Sequence, residues 1–204
     1  MPEVAPMLIV CAEEARVEAE LVGGLLACSS CRGRGLLGPW GHARARVVRC
    51  TTAGDRRVLR PRRAKCRGCA GTHVLLPDLV LLRRRDEVSV IGAAIEAKVR
   101  GEGHRLIAGR LGVPADTVRG WLRRFAARAE AIRAHFTRWA FALDPEFGPV
   151  LPAGGALADA VEVIAVAVRA WVLRFGSRPV WSLVSMLSAG GCVCHTSSPF
   201  PPVR

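Results

Sequence analysis

Two Cys-x-x-Cys pairs constrain the fold of this chain more than any other feature of its sequence. The first is Cys28-Ser-Ser-Cys31 and the second is Cys66-Arg-Gly-Cys69. Each pair can turn so that both sulfurs face one ion, and two such turns complete a closed tetrahedral cage of thiolates. Because the cage leaves no open coordination position, the spacing predicts a structural zinc ion bound by Cys28, Cys31, Cys66 and Cys69. The pairs are separated by 34 residues, which a basic β-hairpin inserted in a zinc ribbon explains.

Other interpretations of these cysteines remain open from the sequence. The pairs could arise by chance among eight cysteines, or one of them could be a thioredoxin-like redox pair. His73 could replace one ligand, although a role in supporting the cysteine turn is favoured. Cys11 and Cys50 are predicted to be small buried side chains. The run Cys192-Val-Cys194-His195 is interpreted as a loop with incidental thiols, with a second metal site as the alternative.

The positive charge of the chain is concentrated in its middle. The net charge is +13, and residues 28–85 contain fifteen Arg or Lys against two acidic residues. Such a block indicates a polyanionic partner; the alternative is a solvated basic surface. Only Lys65 and Lys98 are lysines, and the arginine fork suits phosphate and guanine edges. Because Asn and Gln are absent, base recognition must use Arg, Ser, Thr, Asp, Glu or apolar contacts.

The periodicity of the chain changes from strand-like to helical near residue 86. Before that point we predict a strand at 7–10, a helix over 12–26, and two basic strands at 42–50 and 56–65 that are joined by a turn. The helices that follow are predicted from Asp86 to Gly101, over 104–111, from near Ala115 to Asp144 as one extended third helix, over 156–175 and over 179–189.

These elements predict a mainly α protein with a small β zinc ribbon, in which a helix-turn-helix domain precedes a helical C-terminal region. The predicted segments are an N-terminal strand and helix (1–27), the zinc ribbon with its basic hairpin (28–82), the helix-turn-helix with its extended third helix (86–143), the C-terminal helices (156–190) and a flexible tail (191–204).

The run from Gly103 to Phe125 has the pattern of a helix-turn-helix. Ile107, Ala108 and Leu111 form the apolar face of its first helix. Gly112 allows the left-handed turn that the motif requires. The next helix packs through its own apolar positions, which are Val118, Trp121 and Leu122.

The other face of that helix has the residue types of a recognition helix. Early positions reach base edges and later arginines contact phosphates. Gly120 removes bulk at the groove, and Asp116 favours the helix N-terminus or accepts from a cytosine amino group. The alternative is a helical hairpin with merely solvated arginines. The predicted DNA contacts are Ala115, Thr117, Arg119, Gly120, Arg123 and Arg124, with Arg62 and Arg63 of the basic strand on phosphates.

The same stretch resembles the helix-turn-helix of transposases and phage-type regulators. The order of cysteine ribbon, basic strands and helix-turn-helix is similar to the N-terminal DNA-binding region of insertion-sequence transposases. Over most of its length the chain resembles an uncharacterised actinobacterial helix-turn-helix family linked to mobile elements, through Cys66–Cys69, Thr72–Pro77, Gly103–Phe125 and Thr196–Pro201. This resemblance implies the zinc-ribbon and helix-turn-helix architecture, and no known activity.

The residues after the helix-turn-helix do not favour catalysis. A transposase needs a further domain with three carboxylates on two metal ions, and some 60 remaining residues are too few for that sheet. We therefore expect a non-enzymatic protein that binds a specific double-stranded DNA site as a regulator or accessory factor of a mobile element. The alternatives are a DNA-targeting remnant or subunit of a recombination system, and a module that docks on transcription machinery.

The remaining expectations concern location and partners. The N-terminus lacks the basic region of a signal peptide, and charges interrupt the most apolar stretch, which predicts a cytoplasmic protein without a membrane span. The C-terminal helices are expected to bind a second copy or a recombinase or integrase partner.

Overall fold

A computed structural model describes residues 7–50, 55–193 and 200 of the chain. The described residues form six strands and seven helices, which confirms a mainly α protein with a small sheet. They divide into two compact units, one of residues 7–48 and 56–78 and the other of residues 49–50, 55, 79–193 and 200. Most of the predicted tail and of the turn at 51–55 lies outside the described residues.

The first unit is built on a four-stranded sheet in the order β1-β6-β5-β2. β1 runs parallel to β6, whereas β5 is antiparallel to both of its neighbours. Helix α1 contributes Val17 and Leu21 to a core that also contains Leu37, Ala64 and Leu75. The elements are β1 Met7–Val10, α1 Glu14–Val22, β2 Leu37–His42, β3 Arg46–Arg49, β4 Arg56–Leu59, β5 Arg62–Cys66 and β6 Thr72–Pro77.

The basic hairpin differs from the sequence prediction. The second basic strand, predicted over 56–65, is divided into β4 and β5 around Pro61, whose nitrogen cannot donate a ladder hydrogen bond. Among the described residues β4 pairs with β3 alone, whereas β5 lies in the centre of the larger sheet. The N-terminal strand, predicted as part of a separate segment, pairs with β6 and so belongs to this sheet.

The second unit consists of helices around one apolar core. Among its largest fully buried side chains are Trp121, Phe125, Ile132, Phe136 and Ile164. The predicted helices over 104–111 and 156–175 are confirmed at both ends. The elements are α2 Val88–Val99, α3 His104–Leu111, α4 Ala115–Ala126, α5 Ala129–Leu143, α6 Ala156–Phe175 and α7 Val180–Leu187.

The prediction of one extended third helix is wrong, because the chain bends at Ala127 and Arg128 between α4 and α5. The Arg128 N–H bonds to the Phe125 carbonyl three residues back, which tightens the last turn of α4. Neither Gly nor Pro marks the bend, and the apolar spacing continues through it. Packing explains it: α4 packs on α2 and α3, whereas α5 packs mainly on α6.

Within the described part of the chain, no helix has the length and apolar character needed to cross a bilayer.

Candidate metal centre and basic helix

The first cysteine turn is closed by backbone hydrogen bonds. The Cys28 N–H donates to the Gly33 carbonyl at 2.9 Å, and the Arg32 N–H donates to the Cys28 carbonyl at 2.8 Å. The Cys31 N–H points at the Cys28 sulfur, 3.4 Å away. Arg32 takes a left-handed conformation with φ of 61°. The turn therefore holds both sulfurs on one side of the backbone.

The second cysteine turn repeats this geometry. The Cys66 N–H donates to the Gly71 carbonyl at 2.9 Å. Ala70, directly after Cys69, is left-handed with φ of 58°. A Cβ on Gly71 would lie 3.3 Å from the Cys69 sulfur, so the glycine allows the backbone to close around that sulfur.

A glycine at the same position closes each cysteine turn. Both turns read Cys-x-x-Cys-x-Gly, with Gly33 and Gly71 at the sixth position. Each glycine accepts the hydrogen bond from the first cysteine of its own turn. A Cβ on Gly33 would lie 2.4 Å from a methyl group of Leu36. The repeated glycine after each pair was the signal available in the sequence.

The four sulfurs predicted as ligands are brought together. They all lie within 4.8 Å of one another. The Cys28 and Cys69 sulfurs are 3.6 Å apart, as are the Cys31 and Cys66 sulfurs. A regular tetrahedron with Zn–S bonds of about 2.3 Å has sulfurs about 3.8 Å apart, whereas a disulfide needs about 2.05 Å. The cluster could therefore hold a metal ion such as zinc.

Neighbouring groups shift the pKa values of two of these thiols in opposite directions. Burial raises the pKa of Cys28, but the backbone N–H groups of Cys31 and Ser30 outweigh it and lower that pKa to about 6. The backbone N–H of Gly33 lowers the pKa of Cys31, yet the neighbouring Cys28 and Cys66 sulfurs raise it to about 11. Four sulfurs this close cannot all lose their protons unless a cation balances their charge.

His73 lies beside this cluster and is not one of its four ligand positions. Its ring is fully buried, with Nε2 3.2 Å from the Cys28 sulfur and Nδ1 3.1 Å from the Ser29 hydroxyl. An Nε2–H that donates to the sulfur, with Ser29 donating to Nδ1, uses both ring nitrogens. This is the supporting contact that orients a ligand in metal sites.

The other cysteines differ from the sequence prediction in part. Cys11 and Cys50, predicted to be buried, are both partly exposed. Cys192 is fully buried, and burial raises the pKa of its thiol to about 11. Cys194 and His195 lie outside the described residues.

The predicted turn between α3 and α4 has the expected backbone. Gly112 caps α3 in the left-handed conformation with φ of 62°, which confirms that part of the prediction. Ile107 and Ala108 of α3 are buried. α4 is strongly amphipathic, and its buried side chains are Val118, Trp121, Leu122 and Phe125.

The candidate arginines lie on the opposite face of α4, whereas the candidate Ala115 packs in part against the core of the unit. Arg119 and Arg123 are exposed, and the Arg119 guanidinium lies 3.0 Å from the Asp116 carboxylate, one turn earlier. A Cβ on Gly120 would lie 2.9 Å from the Arg124 guanidinium, so this glycine lets Arg124 lie along the helix. The remaining candidates, Ala115 and Thr117, are partly exposed.

The two candidate arginines of β5 have different surroundings. Arg62 forms an ion pair with Glu18 of α1 and donates to the Gly41 carbonyl at 3.0 Å, and only 18% of its side chain is exposed. Arg63 pairs with Val74 in the ladder and so lies on the other face of the sheet from Arg62. No local pattern predicts the contact with Glu18, because it joins residues 44 positions apart.

No family model, curated protein or solved structure matches this chain.

Proposed function

We propose that this protein binds a specific site in double-stranded DNA, with α4 as its recognition helix and with a structural zinc ion in the four-cysteine cluster. The chief support is the two-faced character of α4. One face is buried in the core of the second unit, while the other presents Arg119 and Arg123 to solvent. A helix that follows a left-handed glycine turn and exposes arginines has the form of a helix-turn-helix reader.

Arg119 is the strongest candidate for base contact. Asp116 holds its guanidinium at 3.0 Å on the first turns of α4, where recognition helices contact base edges. The planar fork can donate two hydrogen bonds to a guanine. Both side chains of this pair are largely exposed, so solvent screens the contact and Arg119 can turn toward a base.

We assign to the basic strands the part of DNA binding that does not depend on base sequence. Arg63 and Lys65 alternate with the buried Ala64 along β5 and so lie on one face of the sheet. Such cations would neutralise phosphates and release counterions. Because Arg62 is already paired with Glu18, Arg63 is the clearer phosphate candidate of the two.

Zinc in the cluster would have a structural role. Four thiolates fill a tetrahedral shell and leave no position for substrate or water. The ion would join the two cysteine turns and so order the 34 residues between them. On this proposal the protein is a regulator or accessory factor of a mobile element and has no catalytic step of its own.

The test is DNA selection from a random duplex library, followed by titration of the selected site and of an unrelated duplex. Arg119→Ala should reduce the preference for the selected site by about 5- to 150-fold, the range of 1–3 kcal/mol for a bidentate base contact. Arg63→Ala should weaken binding to both duplexes and reduce the slope of log affinity against log salt by about 0.9.

Arg133→Ala is the matched control. Arg133 pairs with Glu130 at the same i,i+3 spacing but on α5, so its loss should leave binding unchanged. The proposal is rejected if the wild-type protein selects no sequence and binds no duplex at low salt. An equal loss on both duplexes for Arg119→Ala rejects the base-reading role.

A further inference from the structure

α6 exposes a stripe that the described residues of its own unit cover only in part. The buried side of the helix includes Val163, Ile164 and Ala167. On the opposite side Leu173 is 83% exposed, although leucine is normally buried. The stripe repeats at helical spacing and consists of Ala158, Glu162, Ala165, Val166, Arg169 and Leu173.

A groove of about 530 Å³ lies between α6 and the segment 147–153, and four residues of the stripe line it. The Ala153 N–H donates to the Asp159 carboxylate at 2.6 Å, which ties one end of the segment to α6. At the other end the Phe147 ring packs edge-on against Phe141, with centroids 4.7 Å apart. Leu151, in the wall of the groove, is 78% exposed.

The charges of the stripe are arranged for a copy of itself. Glu162 and Arg169 are both exposed and lie seven residues, or about 10.5 Å, apart along the helix. When two such helices pack antiparallel about a two-fold axis between Ala165 and Val166, Glu162 of each faces Arg169 of the other. A parallel arrangement would instead place like charges together.

The sizes of the apolar side chains also fit a two-fold axis. In the antiparallel arrangement the long Leu173 of one copy lies opposite the small Ala158 of the other, at both ends of the contact. Ala165 and Val166 meet near the axis, where small side chains allow the helices to approach closely. A two-fold interface needs such a self-complementary surface.

We infer that α6 is a homodimer interface, in which two copies of this chain pack antiparallel through the stripe and the adjoining groove. This inference does not depend on the proposed DNA binding, because it uses only contacts of the second unit and is tested without nucleic acid.

The test is the mass of the full-length protein across the micromolar range, measured by sedimentation or by light scattering after gel filtration. The wild type should be a dimer in this range. Glu162→Arg and Arg169→Glu should each replace attraction by repulsion at both ends and raise the dissociation constant about tenfold or more. The double variant Glu162→Arg/Arg169→Glu should restore dimerisation, because its charges again oppose each other.

Leu173→Asp should dissociate the dimer, whereas Leu106→Asp should not. Leu106 is a matched control because it is a 66% exposed leucine on α3 of the same unit. Circular dichroism should show unchanged helicity for all variants. The inference is overturned if the wild type is monomeric, if Leu173→Asp leaves the dimer intact, or if the double charge reversal fails to restore it.

Discussion

The packing of α2 against α7 predicts a large effect when one hydrogen atom of a glycine is replaced by a methyl group. Gly92 lies beneath the Trp181 ring, and a Cβ built on it would be 2.2 Å from three ring atoms. Carbon atoms in contact need about 3.5–4.0 Å, so Gly92→Ala forces the ring to move by more than about 1 Å. The ring is also held by its Nε1–H, which donates to the Glu96 carboxylate at 2.7 Å.

The magnitude follows from three contributions. Overpacking of a core costs about 1–3 kcal/mol, and a weakened hydrogen bond to a charged acceptor adds up to about 1.5–3 kcal/mol. The better helix propensity of alanine returns about 1 kcal/mol. We therefore expect Gly92→Ala to lower the free energy of unfolding by about 2–4 kcal/mol, which lowers the melting temperature by about 5–15 °C.

Gly109→Ala provides the control, because it makes the same chemical change in a helix with open space around it. Nothing lies within 4 Å of a Cβ at Gly109, so only the propensity gain of about 1 kcal/mol applies. The assay is urea unfolding followed by tryptophan fluorescence, since Trp121, Trp139 and Trp181 all lie in the second unit. Equal or greater stability for Gly92→Ala would refute this account of the contact.

Two further predictions concern the cysteine cluster and a buried histidine. If the cluster binds zinc as proposed, Cys66→Ser should lose one zinc ion per chain and unfold the first unit while the helical circular dichroism of the second unit persists; a full zinc content by metal analysis would contradict this. Burial lowers the pKa of His135 below its ordinary 6.5, and its Nε2 donates to the Leu187 carbonyl at 2.8 Å. Because His135 binds a proton less readily in the folded state than in the unfolded state, neutral His135 stabilises the fold fully above about pH 6.5. This contribution to the free energy of unfolding decreases as the pH falls below that value. Melting temperatures between pH 7 and 5.5 should therefore fall more steeply for the wild type than for His135→Leu; parallel curves would contradict this role.

Local sequence patterns were sufficient to predict the structure wherever neighbouring residues determine it. The limits of α3 and α6 follow from glycines and from helical periodicity. The left-handed turn at Gly112 follows from the conformational freedom of glycine. The cysteine turns were predicted because a Cys-x-x-Cys spacing by itself brings two sulfurs near one point.

Contacts between distant residues determined the rest. The bend between α4 and α5 carries no sequence signal and exists because the two helices pack on different partners. The sheet pairs β2 with β5 and β1 with β6, and each of these pairings connects residues far apart in the chain. Arg62 is of a residue type that commonly contacts phosphate, yet Glu18 of helix α1 pairs with it. Sequence periodicity identifies which side of an element is apolar, but only tertiary packing determines which element covers that side.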